Sequence, residues 1–467
     1  MTQSDPLSIA TTTAAPLGAS TAGVTASDQL PRRLGLWATT GVVVGTIIGS
    51  GIFRVPASVA AEVGSPTAIM LVWVLGGVIS LCGALALAEL AAALPQSGGV
   101  FVYLRQAYGP LIAFLFGWIQ LFLAPASVAG ISLVFAEYLS TVVPLSPTGV
   151  RAVAALVLLM VGAAGYRSVR GLGAFIGVAA VAKVAAIATL VLAAFLLGNG
   201  DAGSLGRGAP PADSARWGGV GLALVAALWA YNGIHDMICV AGEVKDPGRV
   251  LPRALVAGVA TVVVVYLAAN AAYLYVLPFD TLKTSPLVAS DTMVRVLGST
   301  GAAAVAIMVM VSTLGATSGL GLAVPRIFYA MAREGLLFAP LARVHPRFQT
   351  PHVAVAFHTG VALVCVWSRS FEQLTEAFVL GTWPFLALAA AGVIVLRRSQ
   401  PSLPRPYRTP GYPAVPIIFI GGTLWVVGSA LVARPVTTLA GIGMTMLGVP
   451  VYLVWKAARR RETRVIP

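Results

Sequence analysis

Apolar runs of membrane-spanning length follow one another along nearly the whole chain, separated by short turns rich in Gly, Pro, Arg and Asp. A bilayer core takes about 20 apolar residues in helical form. The pattern predicts about twelve spans, at 36–60, 67–94, 111–140, 149–165, 172–197, 218–242, 253–277, 299–331, 353–369, 373–396, 414–434 and 437–456. Two of these runs contain residues that weaken a helix. The first holds "GTIIGSGIF", residues 45–53, with Gly45, Gly49, Ser50 and Gly51 close together; the sixth holds "LWAYNGIHDM", residues 228–237, where Asn232, Gly233, His235 and Asp236 interrupt the apolar sequence. Backbone that gives up helical hydrogen bonds at membrane depth is tolerated only beside protein or a water-filled cavity. Both stretches are therefore candidate ligand sites.

The two interruptions occupy corresponding places. Five spans fall in 36–197 and five in 218–396, and an odd number of crossings inverts the second block relative to the first. At each break a new helix start presents free N–H groups, and the preceding helix end presents free carbonyls. The N–H groups suit a carboxylate and the carbonyls suit an ammonium. Two facing breaks can thus hold a zwitterion mostly by backbone. "GTIIG" also fits the small-residue pattern of close helix packing, but Ser50, Gly51 and the second break one block later favour a site.

Composition agrees with this pattern. With 58% hydrophobic residues, 10% charged residues and a mean hydropathy of +0.89, the expected fold class is an all-α polytopic membrane protein. A net charge of +14 would point to nucleic acid only if basic residues clustered on a soluble face. They gather instead in the loops of one side, among them Arg32, Arg33, Arg105, Arg333, Arg397 and Arg398. That side is assigned to the cytosol, which places both termini inside and loop 198–217 outside. Residues 1–32 lack the basic start and compact apolar core of a signal peptide and read as a disordered cytosolic tail. The transporter region is expected over 33–457, its last two helices over 414–456, with a basic tail over 458–467.

Candidate chemistry adds little beyond the breaks. Cys82, Cys239 and Cys365 sit in apolar runs and suggest packing rather than a disulfide framework or zinc site. His345, His352 and His358 show no metal-ligand pattern, and no phosphate-binding loop supports ATP-driven pumping; neither metal nor cofactor is expected. Glu89 and Glu243 near cytosolic helix ends fit an inner gate or solvated charge, and Glu137 reads as solvated charge at an external end. Asp236 follows a break where an acid is favoured by the helix dipole and is equally suited to a proton relay. Lys183 lies about 11 residues, or roughly 17 Å, into the fifth span. An ionisable group at that depth is costly and points to function.

"GTIIGSGIF", "AYNGIHDMICVAGEVKDP", "PRIFYAMAREGLL" and "RPYRTPGYP" resemble the amino acid-polyamine-organocation superfamily, in particular the L-type amino acid transporters and their bacterial relatives, over about 33–457. The resemblance implies twelve helices, with helices one to five and six to ten as inverted repeats and helices one and six broken, working by alternating access. It implies that Ser50 and Gly51 N–H groups meet the substrate carboxylate. Carbonyls near Ile47 and Trp229 would meet its amine, with Gly49, Tyr231, Asn232 and Gly233 around the gap. Family members usually carry Phe at the Trp229 position, as an aromatic gate, and often Trp at Ile234. In sodium-coupled relatives a cation binds between helices one and eight, and in sodium-independent branches a lysine takes its place. Lys183 would fill that place, bridging helix-one carbonyls to Thr313, Thr317 or Ser318.

The leading expectation is a sodium-independent amino acid carrier of a bacterial inner membrane, acting by exchange or proton symport. A polyamine or amine carrier is the alternative within the class. Cationic substrates need anionic pocket residues, and Asn232 stands at the break where an Asp would serve, which favours a neutral substrate. A membrane-embedded enzyme using Lys183, His235 and Asp236 would leave the paired breaks unexplained, and a channel would conduct far faster than a carrier turns over. The expected partners are the amino acid and the lipid bilayer, with no nucleic acid. The loop "TVVPLSPTGV" has no cysteine for the disulfide-linked heavy chain of some animal relatives. Oligomeric state is left open.

Overall fold

The first span bends by 43° between α1 (Leu36–Ile47) and α2 (Gly51–Glu62). The computed structural model describes residues 34–465 except 97, 168, 204–213, 239–240 and 242–243, and it leaves undescribed the side chains of 169–177, 214–216 and 458–465. The expected N-terminal tail, Cys239 and Glu243 thus lie outside the described residues. The chain continues through α3 (Pro66–Ala93), α4 (Val100–Tyr108), α5 (Pro110–Leu139), α6 (Pro147–Arg167), α7 (Val169–Leu197), α8 (Ser214–Ala230), α9 (Ile234–Ile238) and α10 (Pro247–Val276). It ends with α11 (Phe279–Thr284), α12 (Val288–Arg333), α13 (His352–Ser368), α14 (Phe371–Ser399), α15 (Ala414–Ala433), α16 (Pro435–Met446) and α17 (Gly448–Val465). Apart from one isolated bridge between Leu34 and Val244, the described residues contain no strand pairing.

Local chemistry sets several boundaries. Ser65 caps α3, its hydroxyl accepting the Ala68 N–H at 3.3 Å, and Pro66 occupies the first turn, where its missing N–H costs nothing. Between α13 and α14, Ser370 and Gln373 satisfy each other's backbone N–H groups in a capping box, which terminates one helix and starts the next within two residues.

α3 packs along α10, α5 along both α12 and α14, and α7 along α12, while α1 lies on α10 and α2 on α8. These helices surround the two broken spans. Apolar side chains such as Met160, Val181, Leu196, Val264, Ile307 and Val364 point outward and are more than half exposed. Such a continuous apolar exterior suits lipid rather than water.

Among the described residues, ten helices are long and apolar enough to cross a membrane, eleven if the bent α1–α2 pair counts as one span, and α13 is a shorter apolar helix of 17 residues. Each expected segment finds a helix there, with differences. α4 and α11 went unforeseen, because at nine and six residues they are far too short to span. α12 begins eleven residues before the expected 299 and bends at Gly298, whose φ is +66°. The final segment, expected as one helix over 437–456, is divided at Leu447.

Candidate functional site

The sequence "GTIIGSGIF" leaves the helix where its glycines fall. Ile48 takes an extended ψ of 90° after α1, Ser50 precedes α2 with no side-chain cap, and Gly51 opens α2. The early N–H groups of α2 therefore have no acceptors within their own helix. The sixth span stops at Ala230 and resumes at Ile234. Gly233 between them has φ +124°, and a Cβ there would lie 3.0 Å from the Ile47 backbone. Only glycine combines that dihedral with that approach. Gly51 is equally constrained: a Cβ would come 2.6 Å from Ala230 Cβ. The two breaks thus pass each other at backbone distance, with the Thr46 hydroxyl 3.4 Å from the Gly233 carbonyl.

Lys183 on α7 is fully buried, and its ammonium donates to the Gly45 carbonyl at 2.9 Å and the Ile48 carbonyl at 2.8 Å. Those are the carbonyls that lose helical partners as α1 ends. On the other side, Ser312 of α12 donates to the Gly49 carbonyl at 3.1 Å, and Gly315 lies against the Lys183 chain, where a Cβ would sit 3.3 Å from Nζ. The α12 residues chosen from sequence are placed differently. Thr313 turns its hydroxyl to its own helix, onto Val309 and Met310. Thr317 is buried with no hydrogen-bond partner, and Ser318 is buried nearby. The residue that reaches the first break is Ser312, one position before Thr313; no periodicity in the run distinguishes the two.

Tyr266 of α10 was also missed. Its hydroxyl lies 3.1 Å from the Ile47 carbonyl and 3.1 Å from the Ala230 carbonyl, so one group ties the last turns of α1 and α8 together. Trp73 and Tyr231 pack around its ring, and the Tyr231 hydroxyl donates to the Trp73 carbonyl at 3.0 Å. A tyrosine within an apolar run gives no sign that its hydroxyl will find a helix break.

Between the breaks lies a narrow space lined by Thr46, Ile47, Gly49, Ser50, Gly51, Trp229, Ala230, Asn232 and Asp236, together with Ser127, Ile131 and Leu320. Tyr231 and Gly233 face a second space, shared with His235. The Ser50 hydroxyl, Trp229 Nε1 and Asn232 Oδ1 are buried without partners, leaving donors and acceptors free for a ligand.

Charged groups tie distant helices together. The Trp229 ring meets Phe371 edge-on at 5.2 Å, and the Arg54 guanidinium lies 5.1 Å above Phe371 while binding Glu137 and Glu372. On α3, Glu89, 1% exposed, accepts from Arg397 at 2.8 and 2.7 Å and from the Thr409 N–H at 2.7 Å. Arg105 pairs with Glu334. Glu89 and Glu137 are therefore members of ion-pair networks rather than solvated helix-end charges.

Comparisons with known proteins agree with this architecture. A family model described as "Amino acid permease" matches residues 34–454. The serine/threonine exchanger SteT of Bacillus subtilis is 31% identical over 437 residues, covering 92% of this chain and 98% of the relative. The human b(0,+)-type amino acid transporter 1 is 31% identical over 416 residues, covering 88% and 84%. The human cystine/glutamate transporter is 30% identical over 439 residues, covering 91% and 86%. With a match across nearly its whole length and breaks at the positions that the composition of its first and sixth spans foreshadows, the chain belongs to the amino acid permease family.

Proposed function

We propose that the protein is a sodium-independent amino acid carrier that works by alternating access, with exchange as its mode. The observation that carries this reading is the pair of facing breaks, whose non-helical backbone lines one narrow space. In this reading the N–H groups of Ser50 and Gly51 take the carboxylate of the amino acid. The carbonyls of Ile47 and Trp229 take its amine, and Gly49, Tyr231, Asn232 and Gly233 shape the gap. Lys183 occupies the space against the α1 carbonyls and Ser312 where a mobile cation would otherwise be needed. Exchange is supported by the relative named as a serine/threonine exchanger.

The two blocks 36–197 and 218–396 act as inverted repeats. The pairing of α3 with α10, of α5 with α12 and of α2 with α8 supports that symmetry, since each joins corresponding members of the two blocks. The basic side faces the cytosol of a bacterial inner membrane, with both termini inside. No disulfide-linked partner is required.

The test is exchange in proteoliposomes loaded with a mixture of unlabelled amino acids. Whichever labelled external amino acids exchange in should do so at the same rate whether the buffer contains sodium or an impermeant cation. Uptake that collapses without sodium would overturn the role given to Lys183.

A further inference from the structure

We propose that Asp236 is the specificity-determining residue of this cavity and selects amino acids whose side chain ends in a cation, of the lysine or ornithine type. The inference rests on the amino acid reading given above and names the substrate class of that same site. Asp236 opens the short α9 just after the second break and is 3% exposed. Its carboxylate lines the cavity together with Ser50, Gly51 and Trp229, and its Oδ2 has no hydrogen-bond partner. The other oxygen, Oδ1, lies 3.5 Å from His235 Nε2, so one side of the group is held and the other is free.

Position decides what that free oxygen meets. The zwitterionic end of a bound amino acid is accounted for by the α2 start and the α1 and α8 ends. The remaining lining residues, Ser127, Ile131, Asp236 and Leu320 of α5, α9 and α12, are then left to meet its side chain. Among the described residues lining the cavity, Asp236 alone is ionisable. A buried carboxylate with one oxygen left unpartnered is costly at that depth unless a cation joins it. A substrate ammonium supplies the missing partner, and a substrate without one leaves the oxygen unsatisfied. The preference for neutral substrates drawn from Asn232 is thereby reversed, because the acidic residue stands four positions further on.

Lysine and norleucine share a four-carbon chain and differ at its end by the ε-ammonium, so their comparison isolates this contact. In proteoliposomes, each is offered as a competitor of labelled substrate exchange. The wild-type protein should prefer lysine over norleucine by about tenfold or more, as expected for a hydrogen bond to a charged group. In Asp236→Asn that ratio should fall to about one, whatever happens to the absolute rate. Since the variant risks misfolding, thermal stabilisation of the detergent-purified wild-type protein by lysine and by norleucine provides a second reading, with greater stabilisation expected from lysine. A wild-type carrier that exchanges neutral amino acids and ignores lysine would overturn the inference while leaving the transport reading intact. A ratio unchanged in Asp236→Asn would also overturn it. Failure of every amino acid to exchange would overturn both.

Discussion

Lys183 illustrates how much one buried side chain can decide. Its ammonium is held by two carbonyls that have no helical donors, and each such charged hydrogen bond contributes about 1.5–3 kcal/mol. Lys183→Met keeps most of the volume and removes the charge. Exchange should drop by about tenfold or more, as measured by initial rates in proteoliposomes; a near-normal rate would remove Lys183 from the mechanism. Glu89 makes a different prediction. Deleting its carboxylate in Glu89→Ala strands Arg397 and the Thr409 N–H, and breaking a buried pair costs about 3–5 kcal/mol. The detergent-solubilised variant should therefore unfold at a clearly lower temperature. An unchanged midpoint would mean that water satisfies both groups. The depth of Lys183 was legible from its distance along an apolar run. The burial of Glu89 was not, because its partners Arg397, Arg405 and Thr409 come from the distant segment 397–409.

At the scale of elements, the two breaks were the most legible part of the chain, since Gly, Ser, Asn and Asp contrast sharply with their apolar surroundings. What composition could not supply was register. The choice between Ser312 and Thr313 on α12 turns on about 100° of helix rotation, one residue's worth of a 3.6-residue turn, and a segment apolar on nearly every face does not mark it. The kink at Gly298 and the amphipathic α4 escaped for a similar reason: neither changes the length of an apolar run. The breaks also lend themselves to substitution. Gly51→Leu should abolish exchange while the protein remains monodisperse in detergent, because its side chain must push α2 off α8. Gly233→Ala places a Cβ against Ile47 in a backbone region that L residues avoid, a strain of roughly 1–3 kcal/mol, and should lower both stability and exchange rate. Normal exchange in either variant would remove the close crossing from the site.

Across the whole molecule, Trp229, which lines the space between the breaks, is covered by Phe371 and by the Arg54 network that joins α2, α5 and α14. Individual ion pairs near a surface contribute up to about 1 kcal/mol, yet Arg54 joins two carboxylates and an aromatic face at once. Removing it in Arg54→Ala should favour opening there. In a background lacking the native cysteines, a cysteine placed at Ile131 should react faster with an impermeant thiol reagent added from that side, by about tenfold if opening becomes about 1.4 kcal/mol easier. An unchanged labelling rate would show that the aromatic pair alone holds that side shut. The overall bundle was legible from hydropathy, whereas these closures join residues from 83 to 318 positions apart and leave no local trace.

The ammonium that steadies the first break is bolted to α7 and can be released into neither compartment. Unlike a dissociable ion, it carries no concentration difference from one side to the other, so it stiffens the machine without powering it. In the exchange mode proposed above, net accumulation is then driven by whatever travels the other way, and the internal pool of exchangeable solutes becomes the fuel that sets how far uptake can run.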